Sequence, residues 1–573
     1  MPNFYRDNDD IQFHMKHLDL DRVIELREDH FADKGKFDYA PKNIHDTKDS
    51  YDRILDIVGD IAGNIIEPRA AEADEEGAHF DKGVVTYADA TQEAIDAFKK
   101  ADLMGFTLPR KYGGLNCPSL IYAIATEMVS QAEAGLMNIF GLQDISETIN
   151  KFATEEIKAE YLPRFCTGEV TGSMALTEPD AGSDLQSVQL KAFQDEEGQW
   201  YLKGVKRFIT NGCGEISLVL ARSEEGTKDG RGLSMFLYER DEHMKIRRIE
   251  NKLGIHTSPT TELQFNNAPA ILIGKRKMGL IRYVMSLMNG ARLAIAAQAV
   301  GIAEAAYQGA KKYAEERAQF KKPIRQMVPV YEMLAGMKLK IEAARTLMYE
   351  TGKIVDIRDG LEHAGQTHPE KAKALRKDLK TYTNYAALFT PIAKAYATEI
   401  ANQVAYDGIQ IHGGTGFMKD FNAERHYRDA RITNIYEGTT QLQIVAAIGG
   451  VVNGTAMARI REYESTFDFS HVTELHKTVK KMSELLEKAI DHLKEKADSD
   501  FQEYHARRLV EMATNVIIGY LMLRDASFSY RKVEVAKLFL EYVTPDTRMK
   551  YQMIMSDMDS LLMNHDLILD GAN

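Results

Sequence analysis

Apolar positions recur at helical spacing through the first part of the chain, in Tyr51–Ile66, Thr91–Met104 and Ser119–Ser130, which predicts amphipathic helices there. Pro109-Arg110-Lys111-Tyr112-Gly113-Gly114 breaks this pattern as a loop, and the polar segments Asp33–Asp49 and Ala70–Gly83 are expected to be surface connections. From about residue 171 the period drops to two. Val188, Leu190 and Ala192 alternate with polar residues, and Tyr201–Thr210, Ile216–Ala221, Leu233–Tyr238 and Glu262–Phe265 are short β-rich runs between Gly and Asn turns, the signature of a small all-β barrel or sandwich. After Gly279 the helical period returns. Leu293, Ala296, Val300, Ala303 and Tyr307 share one face, and longer patterns follow at Pro329–Ile357 and Leu375–Ile411, joined by the polar stretch Arg358–Lys373. These predict a helix bundle. Beyond residue 451, Val472, Leu475, Val479, Met482, Leu486, Ile490 and Leu493 form one apolar stripe, with further helices expected at Leu509–Leu523 and Val533–Val543, all read as core. The fold class is therefore α+β, with an N-terminal helical domain (1–170), a middle β domain (171–280), a helix bundle (281–450) and an extra C-terminal helical domain (451–573).

Composition narrows the function classes. A chain of 573 residues can support several cores, and 44% hydrophobic with 27% charged residues is ordinary for globular proteins. A net charge of -13 disfavours nucleic acid as a partner while leaving room for a local basic pocket that takes a small anion. Cys117, Cys166 and Cys213 are widely spaced and form no CxxC pair, which fits a reducing compartment. The polar start and the lack of an apolar run near the ~18 residues of a membrane span predict a cytoplasmic protein. His363 and His368 lie in a polar connection and form no recognised metal-ligand set.

Two stretches could carry chemistry. In Ile435-Tyr-Glu-Gly-Thr-Thr-Gln-Leu-Gln443 a single carboxylate, Glu437, stands among uncharged neighbours, after a glycine-rich turn at Gly413–Phe417 and the charged cluster Arg428-Asp429-Ala430-Arg431. That order suits a cofactor loop followed by a base; a solvated turn ending a helix would look the same. In Met174–Asp184, Pro, Gly and small hydroxyl residues let backbone N–H groups approach an anion or a flat ring, with Thr177 and Ser183 as donors; a tight helix-to-strand turn is the alternative.

Met174–Asp184 closely resembles a signature of the acyl-CoA dehydrogenase family, and the resemblance continues in order. Lys206-Arg-Phe-Ile-Thr-Asn-Gly212, Lys252-Leu-Gly-Ile-His-Thr-Ser258, Arg317-Ala-Gln-Phe320, Gln410 with Gly413-Gly414, and Glu437-Gly-Thr-Thr-Gln441 cover residues from about 50 to 450. The resemblance implies an FAD enzyme that introduces a double bond between Cα and Cβ of an acyl-CoA. Glu437 would be the base, and Arg292 would organise its loop or form an ion pair. Leu176, Thr177, Gly182, Ser183, Phe208 and Thr210 would contact the flavin. Arg317, Phe320, Gln410, Gly413 and Gly414 would receive the adenine half and diphosphate of FAD across a subunit contact, with Thr439 and Gln441 nearby.

Several positions depart from the pattern. Phe208 stands in place of the common tryptophan and Lys321 in place of a glycine, and the glutamine expected shortly beyond Phe320 is not evident after Gln326, up to Glu332. Ala291 occupies the site where some relatives carry the base, and Met137 that of an arginine binding a distal carboxylate. A monocarboxylic substrate (long-chain, branched or cyclic) is implied, with electron-transferring flavoprotein as acceptor. An acyl-CoA oxidase and a catalytically silent acyl-CoA-binding member are the alternatives. The extra N- and C-terminal segments resemble larger bacterial members and suggest a homodimer.

Overall fold

The computed structural model describes residues 2–571; positions 1, 572 and 573 at the ends of the two outer expected domains lie outside the described residues. The N-terminal part is helical as its periodicity predicts, in Ile44–Ile61, Asp89–Lys100, Ser119–Ala132 and Ala134–Leu142. Two expected connections are shorter than their polarity suggested. Asn43 caps the first of these helices by accepting from the Asp46 N–H at 3.0 Å, so the connection starting at Asp33 ends there. Ala70–Gly83 contains a helix, Ala70–Glu76, and the strand β1 (His79–Asp81), which pairs with β2 (Val84–Thr86). Lys82 and Gly83 both have positive φ (48° and 89°), the geometry of a two-residue hairpin turn. Polarity misleads at Asp74 because it is buried against Arg428 and His256 rather than solvated. Pro109–Gly114 is a turn, with Gly113 at φ 93°.

The middle region is a sheet of seven strands: β3 (Gly172–Ala175), β4 (Lys191–Gln194), β5 (Trp200–Thr210), β6 (Ile216–Arg222), β7 (Leu233–Glu239), β8 (Met244–Ile249) and β9 (Thr260–Ile273). The pairings β6–β4, β4–β5, β5–β9, β9–β7 and β7–β6 close a ring, with β3 and β8 added at its margin. Periodicity found neither β3 nor β8, and it saw only four residues of β9. Strand β3 is too short to show alternation, and β8 carries Lys245, Arg247 and Arg248 among its six residues. Leu202, Val219, Phe236, Tyr238 and Phe265 fill the barrel interior.

The bundle is built on Met285–Glu316, Val328–Thr367 and Ala372–His412. The expected Arg358–Lys373 connection shrinks to the few residues between Thr367 and Ala372. Its apolar positions are sparse, yet Ile357 and Leu361 dock on Val23 and Leu26, and this supports extra helical turns. Between Met285–Glu316 and Val328–Thr367, β10 (Ala318–Gln319) and β11 (Lys322–Pro323) form a small exposed hairpin. The last part contributes Thr473–Lys496, Ser499–Ala526 and Tyr530–Met555. Their apolar faces join Leu339, Leu347, Phe389 and Ile392 of the bundle in one core, so the extension shares its interior with the bundle. Among the described residues no single helix is long and apolar enough to cross a membrane.

Candidate functional site

Glu437 lies in the short loop between the helices Ala423–Thr433 and Thr440–Val452. Its φ is 53°, a left-handed conformation that costs a non-glycine residue about 1–2 kcal/mol, and Gly438 follows at φ 87°. The surroundings over-determine this strained turn. Gln443 Nε2 donates to the carbonyls of Glu437 (3.2 Å) and Gly438 (2.9 Å), and Lys394 Nζ donates to Gly438 O at 2.7 Å. Glu399 accepts from the Thr440 hydroxyl at 2.6 Å and from the Asn434 amide at 3.3 Å, clasping both ends of the loop. Thr439 Oγ1 caps the following helix by accepting from Leu442 N.

Contacts from all parts of the chain fix the loop's position. Asp429 accepts from Ile255 N at 2.6 Å, and Arg428 reaches Asp74 at 2.6 Å and the Leu253 carbonyl at 3.3 Å. The 252–258 turn of the β region is tied in turn to the Ala134–Leu142 helix, where Thr257 donates to Glu133 at 2.7 Å. The Tyr436 hydroxyl shares its proton between Asn138 Oδ1 (3.1 Å) and Gln298 Oε1, tying the residue before Glu437 to two buried polar side chains.

Burial pushes the Glu437 carboxyl above its ordinary range, although Lys394 and Arg292 pull it down. A base that must take a weakly acidic proton gains strength from such a setting. Burial also lowers the pKa of Arg292, against the opposing effect of Glu437. Arg292 donates to Asn289 Oδ1 at 3.3 Å, its Nε has no partner, and no carboxylate forms an ion pair with it among the described residues. Of its two expected roles, the structure contains no such ion pair. Ala291 offers no proton acceptor, and Met137 is 2% exposed in the core.

The residues expected at the flavin form two groups. In the first, β5 carries a bulge between Lys206 and Ile209, where Phe208 (φ 61°) turns outward and is 52% exposed. Arg207 N donates to Thr177 O at 2.9 Å, which brings the bulge to the 176–183 turn. Ser183 is exposed and Thr210 half-buried, and their hydroxyls make no hydrogen bond to protein among the described residues. A Cβ on Gly182 would meet only Thr177 Cγ2, at 3.9 Å. The side chain of Leu176 packs into the core, leaving its backbone for any ligand. In the second group, Phe320 is 88% exposed at the tip of the β10–β11 hairpin beside exposed Arg317. Tyr313, which stacks on His412 and accepts from the Thr415 hydroxyl, joins this arm to Gln410, Gly413 and Gly414. A Cβ on either glycine would meet nothing within 4 Å. An outward aromatic, uncommitted hydroxyls and open glycine backbone fit a flat ring carrying a diphosphate. Gln441 is exposed on the helix after Glu437.

Comparison with known proteins agrees over most of the chain, from residue 48 to residue 559. Residues 48–169, 173–268 and 281–448 match the family descriptions "Acyl-CoA dehydrogenase, N-terminal domain", "middle domain" and "C-terminal domain", and residues 452–559 match "Acyl-CoA dehydrogenase C terminal". The chain belongs to the acyl-CoA dehydrogenase family. It is similar to a 3-methylmercaptopropionyl-CoA dehydrogenase of Ruegeria pomeroyi, 31% identical over 89% of this chain and 92% of the relative. A short-chain-specific acyl-CoA dehydrogenase of Megasphaera elsdenii is 32% identical over 70% of this chain and 97% of the relative. The fold is shared with an acyl-CoA dehydrogenase of Bacillus anthracis solved with FAD, at TM-score 0.77 over 89% of this chain and 88% of that one, with 22% identity. As a member of the acyl-CoA dehydrogenase family, the chain is an FAD-dependent oxidoreductase acting on the CH–CH bond of acyl-CoA thioesters.

Lys394, Glu399, Asn138 and Gln298 were not among the site residues expected from sequence, and Asp429, Tyr436 and Gln443 entered only as members of the two singled-out stretches, without a role. Lys394 alone left a signal, as a lysine inside the apolar run Pro391-Ile-Ala-Lys-Ala-Tyr-Ala397.

Proposed function

We propose that this chain dehydrogenates a monocarboxylic acyl-CoA, long-chain, branched or cyclic, with Glu437 as the base. The strained, clasped and half-buried setting of Glu437 carries this assignment. Its carboxylate takes the α-proton, and Arg292 and Lys394 limit the energetic cost of holding that carboxylate away from water. Leu176, Thr177, Gly182, Ser183, Phe208 and Thr210 hold FAD on the β side. Arg317, Phe320, Gln410, Gly413 and Gly414 of a second copy, with Thr439 and Gln441, receive its remainder. Bound there, FAD supplies a two-electron acceptor for the hydride lost from Cβ. Met137, where an arginine would bind a distal carboxylate, supports the monocarboxylic choice.

The enzyme acts in the cytoplasm as a homodimer and passes electrons to an electron-transferring flavoprotein. The exposure of Phe320 (88%) and Phe417 (77%) supports the dimer, because a partner surface would cover them. An anaerobic visible spectrum, titrated with short, long, branched and cyclic saturated acyl-CoAs, tests the function. Bleaching of the flavin band by one of them is expected. Protein that takes up no flavin when FAD is supplied, or flavin that no thioester bleaches, overturns the proposal.

A further inference from the structure

Lys394 is fully buried, and among the described residues its only hydrogen-bond acceptor is Gly438 O, at 2.7 Å, with no carboxylate in ion-pair range. An ammonium group has three donors, and a buried cation without an ion partner is expensive. An isosteric methionine would fill the same space in this apolar run at lower cost. Three other buried cations are paired: Lys206 with Glu178, Arg345 with three carboxylates, and Lys532 with two.

The anomaly has one neighbour that explains it. The charged groups acting on Lys394 are Glu437 from the loop, Arg292 from Met285–Glu316, and Glu399 further along its own helix. Glu399 is already engaged by Thr440 and Asn434, and Tyr436 points away to Asn138 and Gln298. We propose that Lys394 is a positioning residue for Glu437, holding the Gly438 carbonyl so that the left-handed turn persists and placing a positive charge beside the base. The inference rests on Glu437 being that base.

Burial holds Lys394 down to about 7, with Glu437 opposing the shift and Arg292 adding to it. Burial thus shifts Glu437 up and Lys394 down, each toward the neutral range. Arg292 stays charged throughout that range, so the variable part of the field on Glu437 comes from Lys394. Removing it raises the Glu437 pKa and moves the acid limb of proton abstraction upward.

The test uses the FAD-loaded protein and the variants Lys394→Gln, Lys394→Met and Lys394→Arg, with folding checked by circular dichroism and flavin content. Anaerobic bleaching by an active acyl-CoA is timed across pH. Gln and Met are expected to move the acid limb up by about one pH unit, which is about tenfold slower bleaching on that limb, and Arg to restore it. An unmoved limb in Gln and Met, or a shift in Arg equal to theirs, overturns the proposal. An infrared titration of the Glu437 carboxyl in cofactor-free protein, assigned against Glu437→Gln and compared between wild type and Lys394→Gln, is a second readout that needs no turnover. Its midpoint is expected to move up in Lys394→Gln, and an unmoved midpoint overturns the proposal. If no acyl-CoA bleaches the wild type, the functional assignment fails while the infrared result still decides on Lys394.

Discussion

Lys532, near the start of the last long helix, forms a buried ion pair with Asp10 at the opposite end of the chain. Asp10 also accepts from Arg345 at 2.5 Å, and Lys532 reaches Glu342 at 2.8 Å. Arg345 continues to Glu127 (2.6 Å) and Glu304 (2.8 Å), so the N-terminal segment, the first helical region, the bundle and the extension meet in one nearly dry charge network. Breaking one partner out of such a network leaves an unpaired buried charge at a cost of about 3–5 kcal/mol. Lys532→Met is expected to lower the urea midpoint strongly, and Asp10→Asn added to Lys532→Met to recover part of the loss. A double-mutant cycle on unfolding midpoints checks this; additive losses would show that the two residues do not interact.

This network and a second one around Glu350 set the acid sensitivity. Burial alone would raise the Glu304 carboxyl, but Lys338 and Arg345 hold it down at about 2; Arg459 and Arg524 likewise hold Glu350 at about 2. A carboxylate depressed by folding contributes stability that is complete above its unfolded value, about 4.3, and is lost as pH falls through the folded value. The urea midpoint should therefore hold from neutral pH to about 5 and fall steeply between about 4.5 and 2. Glu350→Gln should lower the neutral-pH midpoint and flatten the acid slope. A slope unchanged by that substitution would remove Glu350 from the account.

Local periodicity conveyed the architecture because the core helices and inner barrel strands bury one regular face. Met482, Leu486, Ile490 and Leu493 are buried as their spacing predicts. It failed where burial comes through pairing of polar groups: Asp74 looked solvated because Arg428 lies hundreds of residues away, and the Arg358–Lys373 stretch looked like a loop because its helix needs only Ile357 and Leu361 to dock. The same holds at the site. Glu437 was legible as an acid alone among uncharged neighbours. The groups that bend and charge its loop, Lys394, Glu399 and Gln443, are brought there by tertiary packing, and of the three only Lys394, a lysine within an apolar run, leaves a local sign.

At the tip of the β10–β11 hairpin, Phe320 and Lys321 have φ of 51° and 65°, the two positive values of a type I′ turn. Lys321 is exposed and occupies a conformation that favours glycine. Lys321→Gly is expected to relieve about 1 kcal/mol of strain, partly offset by the greater freedom of glycine in the unfolded chain. A small rise in thermal midpoint with unchanged FAD content checks it, and a lower midpoint would mean that the lysine side chain stabilises the arm.

Phe208 is half exposed, so its ring contributes little to the folded core. Phe208→Ala should leave the unfolding midpoint nearly unchanged while weakening FAD binding about tenfold, the order expected for losing one aromatic contact of about 1.4 kcal/mol. Equilibrium dialysis of FAD against the apoprotein gives the affinity. Unaltered affinity would place the flavin elsewhere on the β region.

Glu437 occupies a backbone conformation that works against its own side chain, and its carboxylate sits where burial works against its charge. Both are costs to the fold, which the proposed chemistry of the carboxylate would offset. Glu437→Gln keeps the shape and removes the proposed base; acyl-CoA should still bind, FAD should be retained, and flavin bleaching should slow by about 10²- to 10⁴-fold. Glu437→Gly removes both costs, and it should be at least as stable as the wild type by thermal unfolding while showing the same loss of bleaching. If the glycine variant is instead markedly less stable, the Glu437 side chain supports the loop, and the strain at φ 53° is structural rather than the consequence of placing a base.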